Sequence, residues 1–255
     1  MVRKLSAGIF VLLGVVAAHA QWTQISSEAE PSPVRGLEHR YLVVEDSNSG
    51  DRASLELAIF STKSCRLKVV DRDSGPRRDL DDTMAGGNSL AGVNGGYFDP
   101  DYRPIGLLIV DGKTIAPLQK ARLLSGVLSS TAKKVQISRV SEFSMSQKPE
   151  TAVECGPMLV DGGKLVRGLE STKSARRTFA AVSGDKAALG FCSDVTLADL
   201  SNILAIVSIP EFKIQRALNL DGGSSSAFWF KRSNGSAFSI GELKPVRDFV
   251  VIVPR

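Results

Sequence analysis

Apolar residues along this chain recur mostly at every second position, and glycine, aspartate and asparagine turns break the runs. That period predicts many short strands. Expected strands cover 41–45, 54–60, 67–70 and 91–98. Next come 105–110 and 113–116, joined across Asp111-Gly112, a two-residue hairpin signal. Further strands cover 124–130, 134–138, 152–160 and, after the turn Asp161-Gly162-Gly163, 164–166. Segments 178–183 and 187–192 face each other across Gly184-Asp185, and 216–220, 226–231 and 249–253 complete the set, with a turn at Asn234-Gly235. Helical signals are few. Residues 79–84 read as a short helix closed by Gly86-Gly87. A longer helix starts at Thr196, where Asp199 stands three residues on as in a capping box. Leu197, Leu200, Ile203, Leu204 and Val207 then share one face until Pro210 stops it. The pattern predicts a single α+β domain with a mostly antiparallel or mixed sheet and few helices.

Two N-terminal segments depart from that pattern. Arg3 and Lys4 precede a short apolar run and the small-x-small signal Ala18-His19-Ala20, so residues 1–20 read as a secretory signal peptide cleaved near Ala20. The expected location is therefore periplasmic or secreted, with no membrane span after cleavage. Residues 21–38 are polar and carry Pro31 and Pro33; they read as a linker or loose arm before a domain over 39–255.

Composition narrows the function classes. Loss of Arg3 and Lys4 would lower the formal charge from +5 to +3, too mild for a nucleic-acid binder. Cys65, Cys155 and Cys192 allow one disulfide and one spare thiol, with the pairing open, and their scatter has no zinc spacing. His39 is the only histidine beyond the signal and reads as a surface residue at a strand start. A multi-histidine metal site is excluded. Walker, dinucleotide-binding and nucleophile-elbow motifs are absent.

The candidate chemistry lies in four glycine- or arginine-bearing segments. Asp221 follows a strand and precedes Gly222-Gly223-Ser224-Ser225-Ser226. A carboxylate there can act as acid, base, nucleophile or cation ligand, and the glycines and hydroxyls suit a sugar or an oxyanion. Asn94-Gly95-Gly96 offers an amide and approachable backbone N–H groups. Arg176 and Arg177 are adjacent on a strand, so one of the two is expected to enter a site, with a planar fork suited to phosphate. Glu154, before Cys155-Gly156-Pro157, supplies a possible second carboxylate, which glycoside cleavage commonly requires. Asp99 and Asp101 flank Pro100 and are candidates for a hard cation such as calcium, or for turn residues.

These segments, in their order, resemble the phosphodiester glycosidase family. The matching pieces are Val93-Asn94-Gly95-Gly96-Tyr97-Phe98, the hairpin at 107–113, Gly156-Pro157-Met158-Leu159-Val160 with Asp161-Gly162-Gly163-Lys164, Arg177-Thr178-Phe179-Ala180-Ala181, the Thr196 helix, and Ala217-Leu218-Asn219-Leu220-Asp221-Gly222-Gly223 with the serines after it. Together they span roughly 40–253. The resemblance implies hydrolysis at a sugar-1-phosphodiester. It points to Asn94, Gly95, Arg177, Asp221, Gly222 and Gly223 as site residues, and Gly96 and Ser224 extend the substrate-binding set. Asp221 would work at the anomeric centre with Glu154 or Asp99 as its partner, and Arg177 would pair with the phosphodiester charge. The expected partner molecule is a carbohydrate phosphodiester. One departure stands out: the family follows arginine-threonine with a small residue and later a glycine, where this chain has Phe179 and Ala181. Phe179 either narrows the pocket or faces the core. The alternative reading is a non-catalytic glycan-binding or envelope-assembly module on the same fold.

Overall fold

The structure, a computed structural model, describes residues 21–72 and 79–255. The signal-peptide expectation lies outside them. In chain order the strands are β1 (Trp22–Pro31), β2 (Leu37–Asp46), β3 (Arg52–Ser61), β4 (Cys65–Asp71), β5 (Ala91–Asn94), β6 (Leu108–Val110), β7 (Lys113–Ala116), β8 (Gly126–Ser130) and β9 (Val135–Arg139). They continue with β10 (Thr151–Cys155), β11 (Met158–Asp161), β12 (Lys164–Leu165), β13 (Ala175–Ser183), β14 (Lys186–Val195), β15 (Arg216–Asn219), β16 (Phe228–Lys231), β17 (Ala237–Ile240) and β18 (Asp248–Pro254). Two α-helices join them, α1 (Leu80–Ala85) and α2 (Leu197–Ile206).

Three antiparallel sheets result. The first runs β1-β2-β3-β14-β13-β15-β11-β12, the second β7-β6-β10-β8-β9, and the third β17-β16-β5-β18-β4. The first sheet is buried on both faces, as its alternating side chains require. Ala58, Phe60, Ala180, Leu189 and Phe191 point toward the two smaller sheets. Leu57, Ile59, Phe179, Ala181 and Ala188 point the other way, toward α2 and Phe212.

Local chemistry accounts for the turns and caps. Asp111 and Gly112 both have positive φ (46° and 78°), as a two-residue hairpin of this kind demands. Thr196 Oγ1 accepts from the Asp199 N–H at 3.1 Å, capping α2. Asp79 caps α1 in the same way through the Asp82 N–H.

Three expectations are corrected. Residues 21–38 are not a loose arm: Trp22–Pro31 pairs with β2 along its length. The strand is polar because it is the edge of its sheet, and it is anchored where Trp22 Nε1 donates to Asp199 Oδ1 at the start of α2. His39 is buried, not a surface residue: Nε2 lies 2.6 Å from Glu56 Oε2, and three phenylalanine rings surround the imidazole. The cysteines do not pair: all three are buried free thiols, and Cys192 lies on the opposite face of the large sheet from the core holding Cys65 and Cys155. Among the described residues no helix is long and apolar enough to cross a membrane.

Candidate active site

Three chain crossings between sheets meet at one place. The β15–β16 connection passes from the first sheet to the third and carries Asp221 through Ser226. The β10–β11 connection passes from the second sheet to the first and carries Gly156-Pro157. The end of β5 carries Asn94 into Gly95-Gly96-Tyr97.

Hydrogen bonds tie these crossings together. Asp221 N–H donates to the Gly95 carbonyl at 3.1 Å, and Leu220 N–H donates to Thr178 at 2.8 Å. Asn94 Nδ2 donates to the Asp221 carbonyl at 2.7 Å. Its Oδ1 accepts from Thr178 Oγ1 at 2.7 Å and from Ala227 N–H at 3.1 Å. Tyr97 Oη donates to the Gly156 carbonyl at 2.5 Å, and Asn219 Nδ2 donates to both, at 3.2 Å and 2.9 Å. The turn after Asp221 is a short 3₁₀ helix, Gly223–Ser225, opened by Gly223 at φ +65°. A Cβ at Gly222 would stand 3.2 Å from the Arg176 carbonyl, closer than an ordinary van der Waals contact.

Asp221 itself is half-buried. Its Oδ1 accepts from Gly222 N–H at 3.0 Å. Burial raises its pKa, and hydrogen bonds from Ser225 and Gly222 oppose the rise. Ser224 is half-exposed beside it, and its carbonyl accepts from Leu243 N–H.

The two arginines diverge as strand geometry requires. Arg176 lies over the Phe191 ring and donates to the Ser226 and Gly241 carbonyls. Arg177 runs along the Asp221 turn, with Cδ 3.9 Å from where a Gly222 Cβ would stand. Its Nε donates to Val195 at 2.9 Å and its Nη2 to Lys173 at 2.6 Å, leaving Nη1 with no protein partner among the described residues. Burial lowers its pKa, and Glu170 leads the charges that resist. Among the described residues Arg177 forms no ion pair with Asp221.

Several candidates take other roles. Asn94 is fully buried and spends its amide on the Asp221 turn, so it holds the site and does not face a substrate. Glu154 is buried, with Oε2 accepting from Leu107 N–H at 2.7 Å and Gln119 N–H at 2.9 Å. That carboxylate fixes the segment leading into β6. Asp99 accepts from Arg103 N–H at 2.8 Å within a tight turn, and Asp101 lies 3.6 Å from the same arginine's guanidinium. The pair is a turn and its counter-charge, and among the described residues no three His, Cys, Asp or Glu side chains cluster as metal ligands. Gly95 and Gly96 are buried, Gly95 against Asp248 and Gly96 against Val153. Phe179 faces the core against Gly190, not the site.

Two residues were not singled out by sequence reasoning. Tyr97 reads as core, yet its hydroxyl lies in the site's hydrogen-bond network. Asp248 opens an otherwise apolar strand, and an acid at the head of so apolar a run is the signal that marks it. Cavities of about 550 and 580 Å³ lie beside β1–β3, around Glu30 and His39, and neither is lined by Asp221.

A sequence model of the phosphodiester glycosidase family matches residues 87–253. The chain is 33% identical over 91 residues to the Escherichia coli (strain K12) "Uncharacterized protein YigE". That match spans 33% of this chain and 36% of the relative, about a third of its length. Among solved structures, the zebrafish N-acetylglucosamine-1-phosphodiester alpha-N-acetylglucosaminidase catalytic domain, auto-inhibited by its pro-peptide, superposes with a TM-score of 0.64. It is 16% identical, and the superposition covers 91% of this chain and 89% of that one, a likeness of fold.

Proposed function

The chain belongs to the phosphodiester glycosidase family, and on that premise we propose that it is an exported hydrolase that cleaves the glycosidic bond of a sugar-1-phosphodiester. The substrate class fits envelope or exopolysaccharide polymers, in keeping with the leader-like residues 1–20. The observation that carries the reading is the Asp221 turn: a half-buried carboxylate fixed by Asn94 and Gly95 and flanked by the stem of Arg177.

Each part has a chemical task. Two backbone carbonyls orient the Arg177 guanidinium in advance, and its unpartnered Nη1 suits a phosphodiester oxygen. Burial makes Asp221 more basic than an exposed aspartate, which favours attack on, or stabilisation of, a cationic anomeric carbon. The phosphate monoester leaves with the bridging oxygen as its bond to that carbon breaks; water then adds to the carbon, displacing Asp221 where it has bonded there, and the water's proton passes to solvent. The Ser225 side chain hydrogen-bonds the Asp221 carboxylate, and Tyr97 supports the turn from behind through Asn219, which also donates to the Leu220 carbonyl.

The test is a panel of sugar-1-phosphodiesters, with and without a chelator, run on the wild type and Asp221→Asn. Turnover by the wild type should fall at least about a hundredfold in the variant. In water enriched in oxygen-18 the label should enter the released sugar. Label in the phosphate would move the chemistry to phosphorus, and unchanged turnover in Asp221→Asn would remove that residue from it. Binding with no turnover by the wild type would favour the glycan-binding alternative.

A further inference from the structure

Beneath the glycine motif lies a second carboxylate. Asp248 is 1% exposed at the start of β18. Its carbonyl accepts from Gly95 N–H at 2.9 Å and its Oδ1 from Gly96 N–H at 3.2 Å. A Cβ at Gly95 would stand 1.7 Å from Oδ1, so the carboxylate fills the space that any other residue at 95 would use. The far side of the Gly95 peptide accepts the Asp221 N–H. Asp248 thus touches the one peptide that separates it from Asp221.

We infer that Asp248 is a positioning residue of the site: it fixes the Gly95–Gly96 backbone that carries Asp221, and it does so as a protonated acid. Its Oδ2 is buried with no hydrogen-bond partner, where a negative charge is costly and a proton is tolerated. The neighbouring cation, Arg247, is forked onto Asp71 at 2.7 and 3.1 Å. Asp71 faces Asp248 from β4, Asp221 from the turn after β15, and the neutral Cys155 thiol from β10. Burial pushes the Asp248 carboxyl up to about 7; Asp71 and Asp221 push the same way, against Gly96 and Arg247. The charge on Asp221 adds to the cost of removing the Asp248 proton.

The inference rests on Asp221 being the working carboxylate, but carboxyl-carbon NMR titration tests it without turnover. In the wild type the Asp248 carbon should still report the acid at about pH 5, where ordinary carboxylates have ionised. In Asp221→Asn, which keeps the shape and removes the charge, Asp248 should ionise at lower pH than in the wild type. Superimposable Asp248 curves in the two proteins would overturn it. So would a wild-type Asp248 already ionised at about pH 5, a result that also decides the matter if the variant does not fold. If the substrate panel finds turnover, the fall that begins as Asp248 ionises near pH 7 should be lost in Asp248→Asn, where no charge can form beneath Gly95–Gly96. Absence of turnover counts against the proposed function alone.

Discussion

At the scale of single residues, the site depends on side chains that hold the turn without facing a substrate. Asn94 is the clearest: one donor and two acceptor contacts close the space between β5, β13 and the Asp221 turn. Replacing it with alanine orphans the Asp221 carbonyl, the Thr178 hydroxyl and the Ala227 N–H in a buried place. At about 1 kcal/mol or more for each unmet group, Asn94→Ala should cost roughly 3 kcal/mol or more. Denaturant unfolding, with the slope compared to the wild type, measures this; a loss under about 1 kcal/mol would mean that the turn is held by other contacts. The sequence made Asn94 and Glu154 legible as polar residues at suspicious places, but not their partners. A residue's type reveals which hydrogen bonds it can make; whether substrate or backbone receives them depends on burial. Asp248 escaped notice for the complementary reason, since its role exists only where β18 passes beneath Gly95.

At the scale of elements, what local chemistry determines was readable. The Asp111-Gly112 hairpin and the Thr196-capped helix follow from φ preference and side-chain capping, both written within a few residues. β1 was not readable, because an edge strand with one face to solvent has the composition of a linker until its pairing with β2 is known. The Phe179 departure is likewise resolved between strands. Phe179 and Gly190 are partners in the β13–β14 register, and an alanine Cβ at 190 would come within 2.3 Å of the Phe179 ring. The bulky residue is accommodated by the missing side chain opposite, so the adjacent Thr178 still faces Asn94. Gly190→Ala should therefore destabilise by about 1–3 kcal/mol, and Phe179→Leu in the same chain should return part of it. Additive effects in that double-mutant cycle would show that the two positions do not share this space.

At the scale of the whole molecule, strand order was beyond sequence reading, because the three sheets are assembled by contacts between distant segments. That assembly buries acids, and the burial sets how stability responds to pH. Asp248, Asp221 and Glu242 all have pKa values raised by burial. For Asp248 the shift runs from 3.8 to about 7. Below the lower value folded and unfolded chains are both protonated, and the favourable contribution is complete. Between the two values only the folded chain keeps its proton, so each rise in pH draws the equilibrium toward the unfolded state; above about 7 the contribution is gone. Glu142, Glu170, Asp185 and Glu211 have lowered pKa values and act in the opposite sense, but they lie at the surface, where solvent screens their partners. The buried set should dominate, so the melting temperature should fall as pH rises from about 5 to about 8. Asp248→Asn should flatten that fall by removing the largest single titration from it. A wild-type melting temperature that holds level or climbs across the same interval would mean that the charge beneath the glycine motif is met by solvent or by a cation, and that the folded chain does not retain the proton.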